Sequence, residues 1–129
     1  MKNLDIIHRY YEYANAGRWQ EWCDLFADDQ EMDEQLAGHI SGLAPLREAM
    51  AGMGRAYAVF QNTPTAMFVD GDHGAAVSHI SARAAHFPDE PIEANVMNHF
   101  VFRDGKIAYM ANFHDSKPFE PFLRQLAQD

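Results

Sequence analysis

Glu34 is the residue whose type and position most clearly suggest chemistry. Alternation along a predicted strand at 30–37 places Glu34 on the same face as Met32 and Leu36. A carboxylate on an apolar face is poorly solvated and is well placed to accept a proton, which suits a general base. The alternative is that Glu34 reaches solvent at the strand edge or pairs with Arg83.

Two further polar residues fall on or beside apolar faces. Asn98 alternates with Val96 and Phe100 in a predicted strand at 92–102. A buried amide there needs hydrogen bonds or costs stability on the order of 1–3 kcal/mol, so it either belongs to an internal network or donates into a pocket. Tyr10 lies beside the apolar stripe of a predicted helix at 4–16, where most tyrosines are packing residues.

The histidines offer less definite candidates. Around His79 both strand faces mix polar and apolar residues, so one register turns His79 inward and a one-residue slip turns Ile80 and Ala82 inward. His114 shares a face with Met110 and Asn112 in the last predicted strand. His114 is therefore a candidate acid, base or ligand anchor at a pocket mouth, or else a plain surface residue.

The elements that position these residues form a simple order. Two N-terminal helices, at 4–16 and from Trp19 to Phe26, precede one strand, and a third helix starts near Pro45 and ends at Tyr57. Asp70-Gly71 and Asp104-Gly105 are hairpin signals, and a C-terminal amphipathic helix follows Pro118. Helices before a meander predict a single α+β domain over residues 1–129, with helices on one face of a mostly antiparallel sheet. The predicted strands lie at 30–37, 59–69, 75–87, 92–102 and 106–115.

Composition limits the class of partner. The formal net charge is -9, which repels phosphate backbones and anionic membrane surfaces, so neither nucleic acid nor membrane binding is expected. The single cysteine, Cys23, allows no internal disulfide, and the charged start lacks the apolar run of a signal peptide, so a cytoplasmic protein is expected. The seven histidines show no metal-ligand spacing, so no metal and no cofactor are predicted.

Four segments of the chain form a recognisable set: RYYEYANAG at 9–17, LFADD at 25–29, the glycine-led helix start from Ser41-Gly42 to Glu48, and NHFVF at 98–102 followed by DGKI at 104–107. In this order they resemble the nuclear transport factor two-like superfamily, and within it the ketosteroid isomerase and SnoaL-like polyketide cyclase branch. The resemblance covers nearly the whole chain, but this fold hosts isomerases, dehydratases, cyclases, hydrolases and non-catalytic binders.

The resemblance implies a cone-shaped barrel, in which a strongly curved sheet wraps around the N-terminal helices and encloses a pocket. It places the catalytic base on Glu34, one oxyanion donor on Tyr10 and the second on Asn98. The isomerases use a protonated aspartic acid as the second donor. Because an amide is a weaker acid than that group, Asn98 would stabilise an oxyanion less, and a ketosteroid substrate is not carried over.

The resemblance also implies which residues would contact a ligand. It turns His79 into the pocket, where related dehydratases use a histidine to protonate a leaving hydroxyl. The residues expected to bind substrate are Met32, Phe100, Met110, Asn112 and His114.

Together these features predict a cofactor-independent acid–base enzyme of the isomerase, dehydratase or cyclase type. Its substrate would be a small hydrophobic molecule that carries a carbonyl group. The alternative is a non-catalytic small-ligand-binding protein of the same fold, in which Glu34 and Asn98 form a structural hydrogen-bond pair. The resemblance also implies a homodimer formed through the convex sheet face, which would carry Met97, His99, Tyr109 and Phe113.

Overall fold

The computed structural model describes residues 1–128 and contains helices packed against one sheet. The helices are α1 (Asn3–Asn15), α2 (Trp19–Cys23), α3 (Leu43–Met50), α4 (Met53–Ala56) and α5 (Glu120–Gln128), with a 3₁₀ turn at Lys117–Phe119 before α5. The strands are β1 (Phe26–Glu34), β2 (Gly38–Ser41), β3 (Tyr57–Asp70), β4 (His73–Ala84), β5 (Phe87–Arg103) and β6 (Lys106–Phe113).

The sheet confirms the predicted α+β class and its mostly antiparallel pairing. In the part of the chain that the structure describes, six strands lie in the order β2-β1-β6-β5-β4-β3, and of the neighbouring pairs only β1 and β6 run parallel. Within residues 1–128 the sheet is not closed, because β2 and β3 are its two edges; a complete barrel is therefore not formed. Across the same residues, none of the helices has the length and apolarity that crossing a membrane requires.

Helix α1 packs its apolar stripe onto the sheet, as its periodicity predicts. It buries Ile6, Ile7, Tyr10, Tyr11 and Ala14. The packing is so close at Gly74 in β4 that a Cβ atom there would lie 2.9 Å from Phe102 and 3.0 Å from Ile7. The absence of a side chain at this position lets α1 approach the sheet.

The region between α2 and β3 differs from its sequence-based prediction. Strand β1 begins at Phe26, and it ends at Glu34 where a turn leads into the unpredicted short strand β2. The third helix is interrupted after Met50, because glycines at 52 and 54 favour helix poorly, and Tyr57 starts β3 instead of ending the helix. Glu34 therefore lies at the end of β1, next to a tight turn.

The hairpin between β5 and β6 forms where the sequence predicts it. Asp104 and Gly105 form a two-residue loop with φ angles of 52° and 75°. Positive φ at both positions is what the right-handed twist of a tight hairpin requires. This turn sets the pairing of β5 with β6, and both strands contribute side chains to the site below.

Candidate functional site

A cavity of about 310 Å³ lies between the helices and the sheet. Among the described residues, its walls come from α1 to α5, the 3₁₀ turn and all six strands, and they are predominantly apolar and aromatic. Polar side chains reach it at a small number of positions, which is the usual composition of a small-molecule site. The predicted residues that line it are Tyr10, Met32, Glu34, Asn98, Met110, Asn112 and His114.

The carboxylate of Glu34 is fixed by main-chain and side-chain donors around the turn after β1. Its Oε2 accepts hydrogen bonds from the main-chain N–H of Leu36, at 2.8 Å, and of Ala37. Its Oε1 accepts a longer bond of 3.3 Å from Asn112 Nδ2. Arg83 donates to the Pro88 carbonyl at 2.7 Å, which leaves the predicted alternative of a Glu34–Arg83 pair unrealised. Glu34 is therefore a half-buried, oriented carboxylate at the cavity wall.

Tyr10, Tyr11 and Asn98 form a buried hydrogen-bonded cluster. Asn98 Nδ2 donates to the Tyr11 hydroxyl oxygen at 3.0 Å and to that of Tyr10 at 3.4 Å. Burial, then the neighbouring Tyr11 and the charge of Glu34, raises the pKa of Tyr10 well above its usual range. Tyr10 thus stays protonated, and its own O–H is available as a donor.

This arrangement refines the role expected of Asn98. Both N–H bonds of its amide are directed at tyrosine oxygens, so the amide holds Tyr10 and Tyr11 in place. The other amide atom, Oδ1, is buried and has no partner within residues 1–128. Asn98 therefore orients Tyr10, whose hydroxyl proton remains available at this wall of the cavity.

Two predicted site residues lie elsewhere. His79 is on the outer face of the sheet, where its side chain is 41% exposed and bonds Asn95 at 2.9 Å and Glu93 at 3.3 Å, so its inward placement is wrong. The register with buried Ile80 and Ala82 is adopted because it buries the larger apolar surface. Phe100 is fully buried but lies behind Tyr10, at 5.2 Å between ring centroids, and packs in the core instead of lining the cavity.

His114 lines the cavity just beyond the end of β6. Its ring packs on Phe119 with 4.7 Å between centroids, and its Nδ1 lies 2.8 Å from the Asp115 carbonyl oxygen. The imidazole is half-buried, so it contacts both the cavity and solvent. This position at the wall agrees with the location predicted for it.

Several cavity residues were not predicted from the sequence, and Tyr57 is chemically the most notable of them. Its ring stacks on Phe122 of α5 with 4.9 Å between centroids. Burial and the charge of Glu34 raise the pKa of Tyr57 far above its ordinary value, so the phenol stays neutral. The helical spacing of Tyr57 with Met53 concealed its true place at the start of β3.

Comparison with known proteins places this geometry in a family. Residues 7–110 match the SnoaL-like domain family. No protein with a curated description has a significantly similar sequence.

Solved structures share the fold at low sequence identity. A candidate polyketide cyclase from Pseudomonas putida superposes with a TM-score of 0.82 at 20% identity, covering 92% of this chain and 96% of its own. TerC, co-crystallised with polyporic acid, has a TM-score of 0.80 at 16% identity, covering 95% and 98%. A Catenulispora acidiphila protein with a ketosteroid isomerase-like fold, in complex with trimethylamine, has a TM-score of 0.75 at 16% identity, covering 84% and 83%. Because the family match spans more than half of its length, the chain belongs to the SnoaL-like domain family.

Proposed function

We propose that this protein is a cofactor-independent acid–base enzyme that moves a proton next to a carbonyl group of a small hydrophobic molecule. The observation that carries the proposal is the shared cavity of Glu34 and Tyr10. Glu34 lies close enough for its charge to raise the pKa of the Tyr10 phenol. A proton acceptor and a neutral proton donor therefore face one largely apolar space, as enolisation requires.

In the proposed reaction, Glu34 removes a proton from the carbon beside the ligand carbonyl. Oε1 is the better acceptor of its two oxygens, because Oε2 already accepts two main-chain hydrogen bonds. The carbonyl oxygen gains negative charge as the C–H bond breaks, and the hydroxyl of Tyr10 donates a hydrogen bond to it. Return of the proton from Glu34 to another carbon that is conjugated with the enolate gives an isomer. Attack of the enolate carbon on a second carbonyl of the same ligand gives a ring, and the oxygen of that carbonyl then takes the proton from Glu34.

His114 supplies the second proton transfer in a dehydrating version of this reaction. Its half-buried imidazole at the cavity wall can protonate a leaving hydroxyl and recover a proton from solvent. Two structural neighbours support small organic ligands for such a site, since one was co-crystallised with polyporic acid and the other was solved in complex with trimethylamine. We further propose that the sheet and helices enclose the ligand as a cone and that two copies pair through the outer sheet face.

The test is exchange of α-protons in D₂O, followed by NMR with 2-tetralone and a panel of similar ring ketones. Glu34→Gln keeps the shape and removes the base, so we expect exchange to fall by about 10²–10⁴-fold, the range typical of a general base. Ketone affinity, measured by titration calorimetry, should change little. Glu31→Gln is the matched control on the other face of β1 and should leave exchange unaltered. Unchanged exchange in Glu34→Gln overturns the mechanism.

A non-catalytic binding protein is the second candidate, and one observation favours it. The two main-chain hydrogen bonds to Oε2 make Glu34 a cap for the turn at 35–37, which is a structural role. This candidate predicts that the wild-type protein binds ring ketones without accelerating their exchange. It also predicts that Glu34→Gln loses stability but not affinity.

A further inference from the structure

One hydroxyl group at the cavity wall is not used by the fold. Tyr57 is half-buried and lines the cavity, and within residues 1–128 its hydroxyl forms no hydrogen bond. The Tyr10 hydroxyl, by contrast, accepts a hydrogen bond from Asn98. The Tyr57 hydroxyl also differs from the unpartnered atoms that are sealed inside the protein, such as Asn98 Oδ1, because it keeps accessible surface. Tyr57 therefore offers the cavity a free hydrogen-bond donor.

The aromatic ring that carries this hydroxyl is held by packing. It stacks on Phe122 of α5, with 4.9 Å between the centroids and 5° between the ring planes. On another side it lies 5.2 Å from Phe60 of β3. A phenylalanine would make both of these contacts equally well. Packing therefore explains why position 57 is aromatic, and it leaves the hydroxyl group without a structural role.

Gln125 of α5 ties the helix to the start of β3, directly beside the stacked rings. Gln125 is 3% exposed, its Nε2 donates to the Ala56 carbonyl at 2.9 Å, and its Oε1 accepts from the main-chain N–H of His86 at 2.7 Å. Ala56 immediately precedes Tyr57, so these bonds fix the helix and the strand relative to each other where Tyr57 meets Phe122. A donor that is already positioned loses little conformational entropy when it binds a ligand.

Tyr57 and Tyr10 pack against different parts of the hydrophobic core. Tyr10 belongs to the buried cluster that includes Phe100, whereas Tyr57 packs on a second cluster that includes Phe119. The charge of Glu34 contributes to the raised pKa of both phenols, so the carboxylate lies near each of them. Because all three residues line the same cavity, a ligand beside Glu34 meets a neutral phenol from each cluster.

We propose that Tyr57 is a ligand-binding residue whose hydroxyl donates a hydrogen bond to a second oxygen atom of the ligand. The inference rests on the proposed function, in which the first oxygen is the carbonyl oxygen bound by Tyr10. A ligand that covers the Tyr57 hydroxyl without offering an acceptor leaves that donor unpaired, which lowers affinity. The ligand class therefore narrows to carbonyl compounds that carry another acceptor oxygen, such as that of an ether, an ester or a second ketone.

The experiment measures, by titration calorimetry, the binding of 2-tetralone derivatives that differ by one acceptor oxygen. Each pair consists of a methoxy and an ethyl derivative at the same ring position, because these substituents are similar in size and only the ether oxygen accepts a hydrogen bond. We expect the methoxy compound to bind wild type about 3- to 10-fold more tightly in at least one pair, the value of one net hydrogen bond. Tyr57→Phe should abolish this preference and keep the affinity for the ethyl compound.

Tyr13→Phe is the matched control, since Tyr13 is a half-buried tyrosine of α1 that lies under Arg18 and does not line the cavity. It should leave the methoxy preference unaltered. Tyr57→Phe should also keep the wild-type thermal midpoint, because it removes a hydroxyl that bonds no other group of the protein.

Three results would overturn the assignment of Tyr57. The first is a lack of methoxy preference in every pair, and the second is a preference that persists in Tyr57→Phe. The third is an equal loss of affinity for both members of a pair in Tyr57→Phe together with a lower thermal midpoint, which marks a purely structural residue. Failure of the proposed function is separate from these, since it appears as proton exchange that survives Glu34→Gln.

Discussion

Asn112 bridges the proposed base and the turn that follows it. Its Nδ2 donates to Glu34 Oε1 at 3.3 Å, and its Oδ1 accepts from the main-chain N–H of Gln35 at 2.7 Å. The bridge exists because β1 and β6 pair in parallel, with Met32 opposite Met110. The register of these two strands determines which side chain lies beside the carboxylate.

The bridge predicts that Asn112 positions the base. In Asn112→Leu we expect proton exchange of 2-tetralone to fall on the order of tenfold, equivalent to one hydrogen bond of about 1.4 kcal/mol in the transition state. Ketone affinity should change by less than about threefold. Asn95→Leu removes an amide from the outer face and serves as control. A parallel fall in exchange and affinity would show that Asn112 binds ligand instead of orienting Glu34.

We expect His39 to stabilise the β1–β2 hairpin to an extent that depends on pH. Hydrogen bonds to Asp33 and then Glu31 raise the pKa of His39 above its usual value, while bonds from Tyr109 and His39 lower the pKa of Asp33. Protonated His39 therefore stabilises the fold fully below its unfolded pKa of about 6.5, and this contribution is lost as pH rises through the raised folded value. At still lower pH the contribution of Asp33 disappears as that carboxylate is protonated.

The measurement is the thermal midpoint of wild type minus that of His39→Gln at about pH 6 and about pH 8.5. The difference should be larger at the lower pH. Because all three side chains are about half exposed, the contribution should also shrink in high salt. A difference that is the same at both pH values would contradict the charged pairing.

We expect a side chain at Gly74 to interfere with the packing of α1 on the sheet. A Cβ atom at this position would lie 2.9 Å from Phe102 and 3.0 Å from Ile7, so Gly74→Ala should destabilise the fold by about 1–3 kcal/mol. Gly54→Ala is the matched control in α4, where nothing lies within 4 Å and alanine should be neutral or gain up to about 1 kcal/mol. Urea unfolding measures both changes. Equal stability of the two variants would show that α1 shifts to accommodate the methyl group.

The outer sheet face predicts self-association. Met97 and Phe113 are opposite each other on β5 and β6, and they are 49% and 58% exposed. Adjacent exposed apolar side chains favour an interface between copies, so we expect a concentration-dependent dimer in sedimentation velocity. The substitution Phe113→Asp should convert the dimer to a monomer, whereas Leu4→Asp on α1 should leave the dimer intact. A wild-type monomer at all accessible concentrations would remove this prediction.

Apart from the short strand β2 and the break in the third helix, the order of the elements could be predicted from the sequence by itself, and so could the direction of Glu34. Helical spacing marks α1, the Asp104-Gly105 pair marks a hairpin, and alternation with Met32 turns Glu34 toward the cavity. These features depend on residues close together in the chain, and local sterics and amphipathicity are sufficient to specify them.

The tertiary structure alone decided which distant residues form hydrogen bonds with each other. It also decided which face points inward in a strand whose two faces have similar polarity. His79 faces outward because its strand gains more by burying Ile80 and Ala82, and both of its faces carry mixed polarity in the sequence. The pairing of Asn98 with Tyr11, and of Asn112 with Glu34, joins residues 87 and 78 positions apart. Such contacts follow from how α1, β1 and the meander pack together, and no short-range pattern records that packing.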